Sequence, residues 1–292
     1  MRVRAVPKDK LREIASEAWI DNTRRPYAEG DITWVPVRDG EPCEREIPQR
    51  IRYRGKGFFM MGDVAVIHGK KPGREEVEEI VGFRHPRGVL WIESLNDATR
   101  TPCTELLWGD AGEVRHHENG YTYILDPGNV MFAQGNRREK MRIAQLVRAS
   151  IFGERVADMF AGIGYFTIPM AGSGACVHAM EINPVAFGYL NRNIEENGLS
   201  DRVGTSLGDC RDLLTGTYDR IVMGHFDAIS MLPSALLHVH EGSIIHLHSI
   251  GTVEDTIKDR VDSAGFSATI DVHKVKKYRP HAWHMVQDVT IS

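Results

Sequence analysis

The chain has 292 residues, 42% of them hydrophobic and 26% charged, with a formal net charge of −4. That is enough chain for two cores and is the balance of an ordinary soluble globular protein. No apolar run approaches the roughly 18 residues of a membrane span, and the first eight residues hold no apolar signal core. Cys43, Cys103, Cys176 and Cys210 are scattered without a C-x-x-C pair, which argues against a structural zinc or disulfide framework and suits a reducing cytoplasm. The 13 histidines form no H-E-x-x-H motif, so no metal site is expected.

In chain order, Asp9 to Ala18 reads as a short amphipathic helix with Leu11, Ile14, Ala15 and Ala18 on one side. Prolines and glycines from Pro26 to Pro48 then punctuate short strand-like pieces. Val64–Ile67 is a buried strand, 74–81 a charged helix and 88–92 another strand. Residues 104–108, 114–117 and 121–125 read as strands of one small sheet, the last two joined through Glu118-Asn119-Gly120, whose Asn-Gly is a hairpin signal. Residues 1–130 are thus expected to form a smaller mixed α/β domain that positions the substrate.

From Arg137 the pattern becomes a helix to about Ser150, followed by alternating strands and helices. Strands are expected at 155–160, 175–180, 203–207, 219–223, 243–248, 267–275 and 283–291, and helices at 165–172, 184–197, 228–239 and 252–264. Such alternation means right-handed crossovers and a mostly parallel sheet. The last two strands have no helix between them and should form an antiparallel edge hairpin.

Within 131–292, the run Asp158 to Phe166 carries Gly162 and Gly164 after a short strand, and Glu181 stands at the tip of the next strand. Glycines let backbone approach a ligand, and an acid about 20 residues on is placed to accept ribose hydroxyls. The dinucleotide fingerprint needs a third glycine where this chain has Thr167. A nucleoside cofactor without a diphosphate fits better, and S-adenosylmethionine is such a cofactor. The expected fold class is therefore α/β: a Rossmann-like class I S-adenosylmethionine-dependent domain over 131–292, preceded by the smaller domain. Phe160, Ala161, Gly162, Gly164, Glu181 and Ile182 are candidate cofactor contacts. Asn183 suits an N-cap and Pro184 a first helical position. After the third strand, this fold places an acid against the adenine amino group, which nominates Asp209 with the Cys210 amide; Asp212 is the local rival.

Net charge hides three basic runs interleaved with aromatics: Arg52, Arg54 and Lys56; Arg137, Arg138 and Lys140; and Lys274, Lys276 and Lys277 ahead of Trp283. Phosphate neutralisation with stacking surfaces is what a looped RNA requires, and solvated faces are the plain alternative.

His117-Glu118-Asn119-Gly120, Val130-Met131-Phe132, Asp158 to Gly164, Asn183-Pro184, the asparagines from Asn191 to Asn197 and the stretch from Lys276 to His284 together resemble the archaeal wyosine-base enzymes acting at position 37 of phenylalanine tRNA. The narrower resemblance, over 101–292, is to the 4-demethylwyosine 3-amino-3-carboxypropyltransferases, whose sister family methylates guanine 37 at N1. The sister enzymes carry Pro-Arg-Leu where this chain has Gln134-Gly135-Asn136, and Asn-x-Pro where it has Met223-Gly224-His225-Phe226. The resemblance implies transfer of the aminocarboxypropyl group to C7 of 4-demethylwyosine with release of methylthioadenosine. It also implies recognition of the tRNA anticodon region. Ala133 stands where the family has a serine near the methionine end of the cofactor. Lys140, with Arg137 and Arg138, is the candidate for the methionine carboxylate, or for an RNA phosphate. His225 and Asp227 are the candidate general bases, between which the sequence does not choose. Oligomeric state is left open, with a monomer as the expectation.

Overall fold

The computed structural model describes residues 1–47, 53, 55, 57–96, 99–150 and 153–292. The chain divides into two compact units, Met1–Arg54 and Gly55–Ser292.

In the first unit, β1 (Arg2–Pro7), β2 (Tyr27–Glu29), β3 (Ile32–Pro36) and β4 (Arg45–Glu46) form an antiparallel sheet in the order β2-β3-β1-β4. The helix expected over Asp9–Ala18 is instead a single 3-10 turn, Lys8–Lys10, followed by further turns. An isolated helix of that length is marginal. Turns suffice to lay Leu11, Ile14 and Trp19 on Val6, Ile20 and Val35.

The second unit opens with β5 (Phe59–Met61), β6 (Val64–His68), α1 (Arg74–Arg84), β7 (Gly88–Asn96) and β8 (Thr101–Gly109). These make a sheet of order β5-β6-β7-β8 in which only β6 and β7 run parallel, joined through α1. The strand expected at 104–108 therefore belongs to this sheet, while β9 (Val114–Glu118) and β10 (Tyr121–Leu125) form a separate ribbon. Asn119 and Gly120 turn that ribbon with φ of 55° and 87°, the left-handed pair a two-residue hairpin requires.

After α2 (Arg137–Ala149) come β11 (Arg155–Asp158), α3 (Thr167–Gly172), β12 (Cys176–Glu181), α4 (Pro184–Glu196), β13 (Val203–Leu207), α5 (Cys210–Leu213), β14 (Arg220–Met223), α6 (Leu232–Leu236), β15 (Ile244–Ile250), α7 (Glu254–Ser263), β16 (Ala268–Arg279) and β17 (Ala282–Ile291). Their sheet has the order β13-β12-β11-β14-β15-β17-β16. The first five strands are parallel, and β17 and β16 close the edge antiparallel, as the alternation predicts. The order reverses between β11 and β14, which opens a crevice at their carboxyl ends. The helix expected over 228–239 is a 3-10 turn, Ala228–Met231, followed by the short α6. Pro233 lacks the N–H that a continuous helix would need there.

No break falls at residue 130. Met61, Val66, Leu90, Tyr123 and Phe132 share one buried cluster with Ile143, Val156, Ile168 and Val222, so the division lies after Arg54 instead. Buried Asn193 helps lock that junction. Its Oδ1 accepts from the Ile124 amide at 2.6 Å, and its Nδ2 donates to the carbonyls of Ile124 (3.1 Å) and Ile163 (3.0 Å). One turn on, Asn197 brackets Thr122 in the same way, at 3.0 Å from its amide and 2.8 Å from its carbonyl. These asparagines tie the β9–β10 ribbon to the glycine turn. Among the described residues no helix is long and apolar enough to cross a membrane.

Candidate functional site

The glycine turn is held from beneath by Asp158 at the end of β11. This carboxyl is fully buried, accepts the Thr167 hydroxyl at 2.7 Å, and is pushed up to about 6 by burial. The Ala161 amide donates to the Met180 carbonyl at 2.9 Å, fastening the turn to β12. Gly162 (φ 58°) and Gly164 (φ 102°) are left-handed. A β-carbon on Gly162 would collide with the Tyr165 ring, and one on Gly164 would lie 2.7 Å from Ile168 Cδ1.

Glu181, at the tip of β12, accepts the Gly162 amide on Oε2 and the Asn183 amide on Oε1, each at 2.7 Å. Burial raises its pKa, with those two amides pulling the other way. Each oxygen keeps a lone pair, so the carboxylate is fixed in orientation and can still accept a pair of vicinal hydroxyls. Ile182 beside it is 47% exposed, an apolar surface at the strand tip. Asn183 caps α4 through the Val185 and Ala186 amides, with Pro184 following.

Asp209 stands at the tip of β13 and caps α5, but its carboxylate is already engaged. Arg211 holds Oδ1 through Nε at 3.0 Å and Oδ2 through Nη2 at 2.5 Å, keeping the acid below its ordinary range. An adenine amino group would have to share these oxygens. Buried Cys210 has its thiol pushed up to about 12 by desolvation, with Sγ 3.7 Å from Met231 Sδ. That leaves its backbone, not its sulfur, as the group with something to offer.

Lys140 is not the open anchor that the sequence suggests. Its ammonium is fully buried, pairs with Glu118 Oε1 at 2.8 Å, and lies 4.7 Å and 5.2 Å from the Phe132 and Tyr165 ring centres. Burial lowers its pKa while Glu118 raises it. Glu118 of the His-Glu-Asn-Gly run thus finds its partner on α2. Arg137 is likewise taken, donating through Nε to Asn119 Oδ1 at 2.9 Å, whereas Arg138 is exposed. Ala133 introduces the 3-10 turn of Gln134–Asn136. Further along α2, Arg142 pairs with Glu139 (2.7 Å) and Asp288 (2.6 Å). Asp288 accepts His246, which contacts Arg220 at 2.6 Å. That chain of buried charges braces the sheet and was not foreseen from spacing.

On the other side of the crevice, the His225 ring stacks on Phe160 with centroids 5.4 Å apart. Its Nδ1 accepts the Asp227 amide at 3.2 Å, and burial, then Arg100, lower its pKa. A neutral ring with Nδ1 accepting carries its proton on Nε2. His225 therefore offers a donor there rather than a base, and the exposed Asp227 is the remaining acceptor. Phe226 meets Tyr278 and His284 edge-on at 5.2 and 5.0 Å, with the Arg100 guanidinium 5.9 Å from its centre. His284 is hydrogen-bonded to buried His248 at 2.9 Å, and burial depresses both, His284 to about 4. Lys274 sits 5.4 Å above Trp283. Lys277 is exposed, while Lys276 is half-buried. Arg52, Arg54 and Lys56 lie outside the described residues.

A parallel sheet with an antiparallel edge pair, a left-handed glycine turn after its first strand and an acid at the tip of its second define a class I S-adenosylmethionine-dependent transferase. Residues 114–276 match the TRM5/TYW2 methyltransferase domain, and the chain belongs to that family. It is 33% identical to the Methanocaldococcus jannaschii tRNA(Phe) (4-demethylwyosine(37)-C(7)) aminocarboxypropyltransferase, over 80% of this chain and 97% of that protein. Among solved structures it resembles Pyrococcus horikoshii TYW2 in complex with MeSAdo, at a TM-score of 0.69 and 29% identity over 81% and 90% of the two chains. It also resembles Trm5b from Pyrococcus abyssi, at a TM-score of 0.78 and 26% identity over 99% of each chain.

Proposed function

We propose that this protein transfers the 3-amino-3-carboxypropyl group of S-adenosylmethionine to C7 of 4-demethylwyosine at position 37 of tRNA(Phe). The observation that carries this reading is the tip of β14. Where a guanine-edge reader needs a carboxamide, Gly224-His225-Phe226 presents two aromatic rings, one on Phe160 and one against Tyr278 and His284. Stacking walls suit a tricyclic base better than a hydrogen-bonded guanine edge. The aminocarboxypropyltransferase relative supports the same reading.

The bound cofactor supplies a sulfonium whose γ-carbon is open to attack. C7 forms a bond to that carbon as the carbon–sulfur bond breaks, the electron pair leaves on sulfur as methylthioadenosine, and C7 gives up its proton. Glu181 orients the nucleoside through its ribose, and Gly162 and Gly164 let the backbone approach. His225 donates from Nε2, and the exposed Asp227 carboxylate takes the proton to solvent. Positioning is what selects the γ-carbon over the methyl, since the reacting atoms must meet in line at about 3 to 3.5 Å. Residues 1–130 would help position the anticodon region, with Arg138, Lys274 and Lys277 as phosphate contacts. Incubation with tRNA bearing 4-demethylwyosine should release methylthioadenosine; release of adenosylhomocysteine would overturn the reading.

A further inference from the structure

With Lys140 sealed against Glu118, the site still needs a cation for the charged end of its cofactor. Lys276 supplies one. Its side chain folds over Gly135, so closely that a β-carbon there would collide with Nζ and stand 2.9 Å from Cδ. Its half-buried ammonium feels the Arg100 cation and is felt in turn by the buried Lys140 ammonium, and among the described residues no carboxylate pairs with it. Two cations brought together without a carboxylate make an anion site. Next to Gly135, the Asn136 Oδ1 is buried with no hydrogen-bond donor among the described residues. A buried acceptor left unpaired is costly, so it asks for an N–H. An RNA phosphate brings only acceptors, whereas an amino-acid end brings a carboxylate and an ammonium together.

We propose that Lys276 anchors the α-carboxylate of S-adenosylmethionine while Asn136 takes its α-ammonium, an assignment that rests on the aminocarboxypropyl transfer proposed above. Position 135 is then glycine for a reason: any side chain would displace the ammonium. Gly135 and Lys276 act as one positioning unit that turns the γ-carbon, rather than the methyl, toward the base.

Calorimetry with two ligands tests this without turnover. Methylthioadenosine keeps the nucleoside and sulfur but lacks the amino-acid end. Lys276→Met should weaken S-adenosylmethionine by about 10- to 100-fold and leave methylthioadenosine unchanged. Gly135→Ala should do the same more weakly, and the double variant should be no worse than Lys276→Met alone. Retained methylthioadenosine binding certifies the fold. Equal loss of both ligands, or unchanged S-adenosylmethionine affinity with weaker tRNA binding and a flatter salt dependence, would overturn the assignment, the latter in favour of a phosphate contact. The nucleoside released by wild type reports separately on the transfer itself, so the two ideas fail independently.

Discussion

The two sides of the crevice are built on different principles. On the β11–β12–β13 side stand backbone and one carboxylate: a left-handed glycine turn, and Glu181 fixed by the Gly162 and Asn183 amides. On the β14–β15–β17–β16 side stand rings and cations gathered from far along the chain: Arg100, His225, Phe226 and Lys276, with buried His284 behind Phe226. The first side must hold the same nucleoside whatever group is transferred. In the proposed reaction the second decides which carbon of the sulfonium faces the base. The backbone half is legible as a motif, whereas the side-chain half is assembled from distant positions.

The stiffest test of the backbone half is the ion pair behind it. Lys140→Met strands Glu118 as a buried uncompensated charge, which should cost about 3–5 kcal/mol in urea unfolding. Replacing both partners by apolar residues should recover most of that loss. A single variant within about 1 kcal/mol of wild type would show that the pair does not brace the turn.

Next in size is a pH effect at Asp158. Its folded pKa, about 6, lies above the ordinary value of 3.8. A raised acid contributes stability in full below the unfolded value and loses it as the pH rises through the folded one. Between about pH 4 and 7, wild type should thus lose up to about 3 kcal/mol relative to Asp158→Asn. Parallel stability curves would mean that the carboxyl is not held in its acid form.

Smaller effects separate the two sides directly. Glu181→Ala removes a charged acceptor worth roughly 1.5–3 kcal/mol, and it should weaken S-adenosylmethionine and methylthioadenosine alike, since both carry the ribose. Phe226→Leu should leave both affinities within about twofold and instead reduce turnover on tRNA, having lost edge contacts worth about 0.5–1.5 kcal/mol. If the two variants gave the same pattern across both ligands, the division of labour between the sides would collapse.

The same division explains what the amino-acid sequence discloses. The parallel sheet, its edge hairpin and the glycine turn were legible because hydrophobic alternation and glycine spacing are local signals, and Glu181 followed from its distance to the turn. Lys140 misled because α2 shows it among arginines, whereas its environment is set by Glu118, 22 residues earlier. The Arg142–Asp288 pair spans 146 residues, and no spacing rule reaches that far. His225 was found by position, but its tautomer depends on the Asp227 amide, a matter of backbone geometry. The boundary expected at 130 failed for a related reason: Asn193 and Asn197 sew the β9–β10 ribbon onto α4 with bonds that composition does not reveal.

The side-chain half is proposed to present the γ-carbon and not the methyl. This is tested most directly with phenylalanine tRNA bearing 4-demethylwyosine and two preparations of S-adenosylmethionine, one labelled in the methyl group and one in the carboxyl. Label should enter the tRNA from the carboxyl preparation alone; methyl label in the tRNA would overturn that proposal and make this chain a methyltransferase.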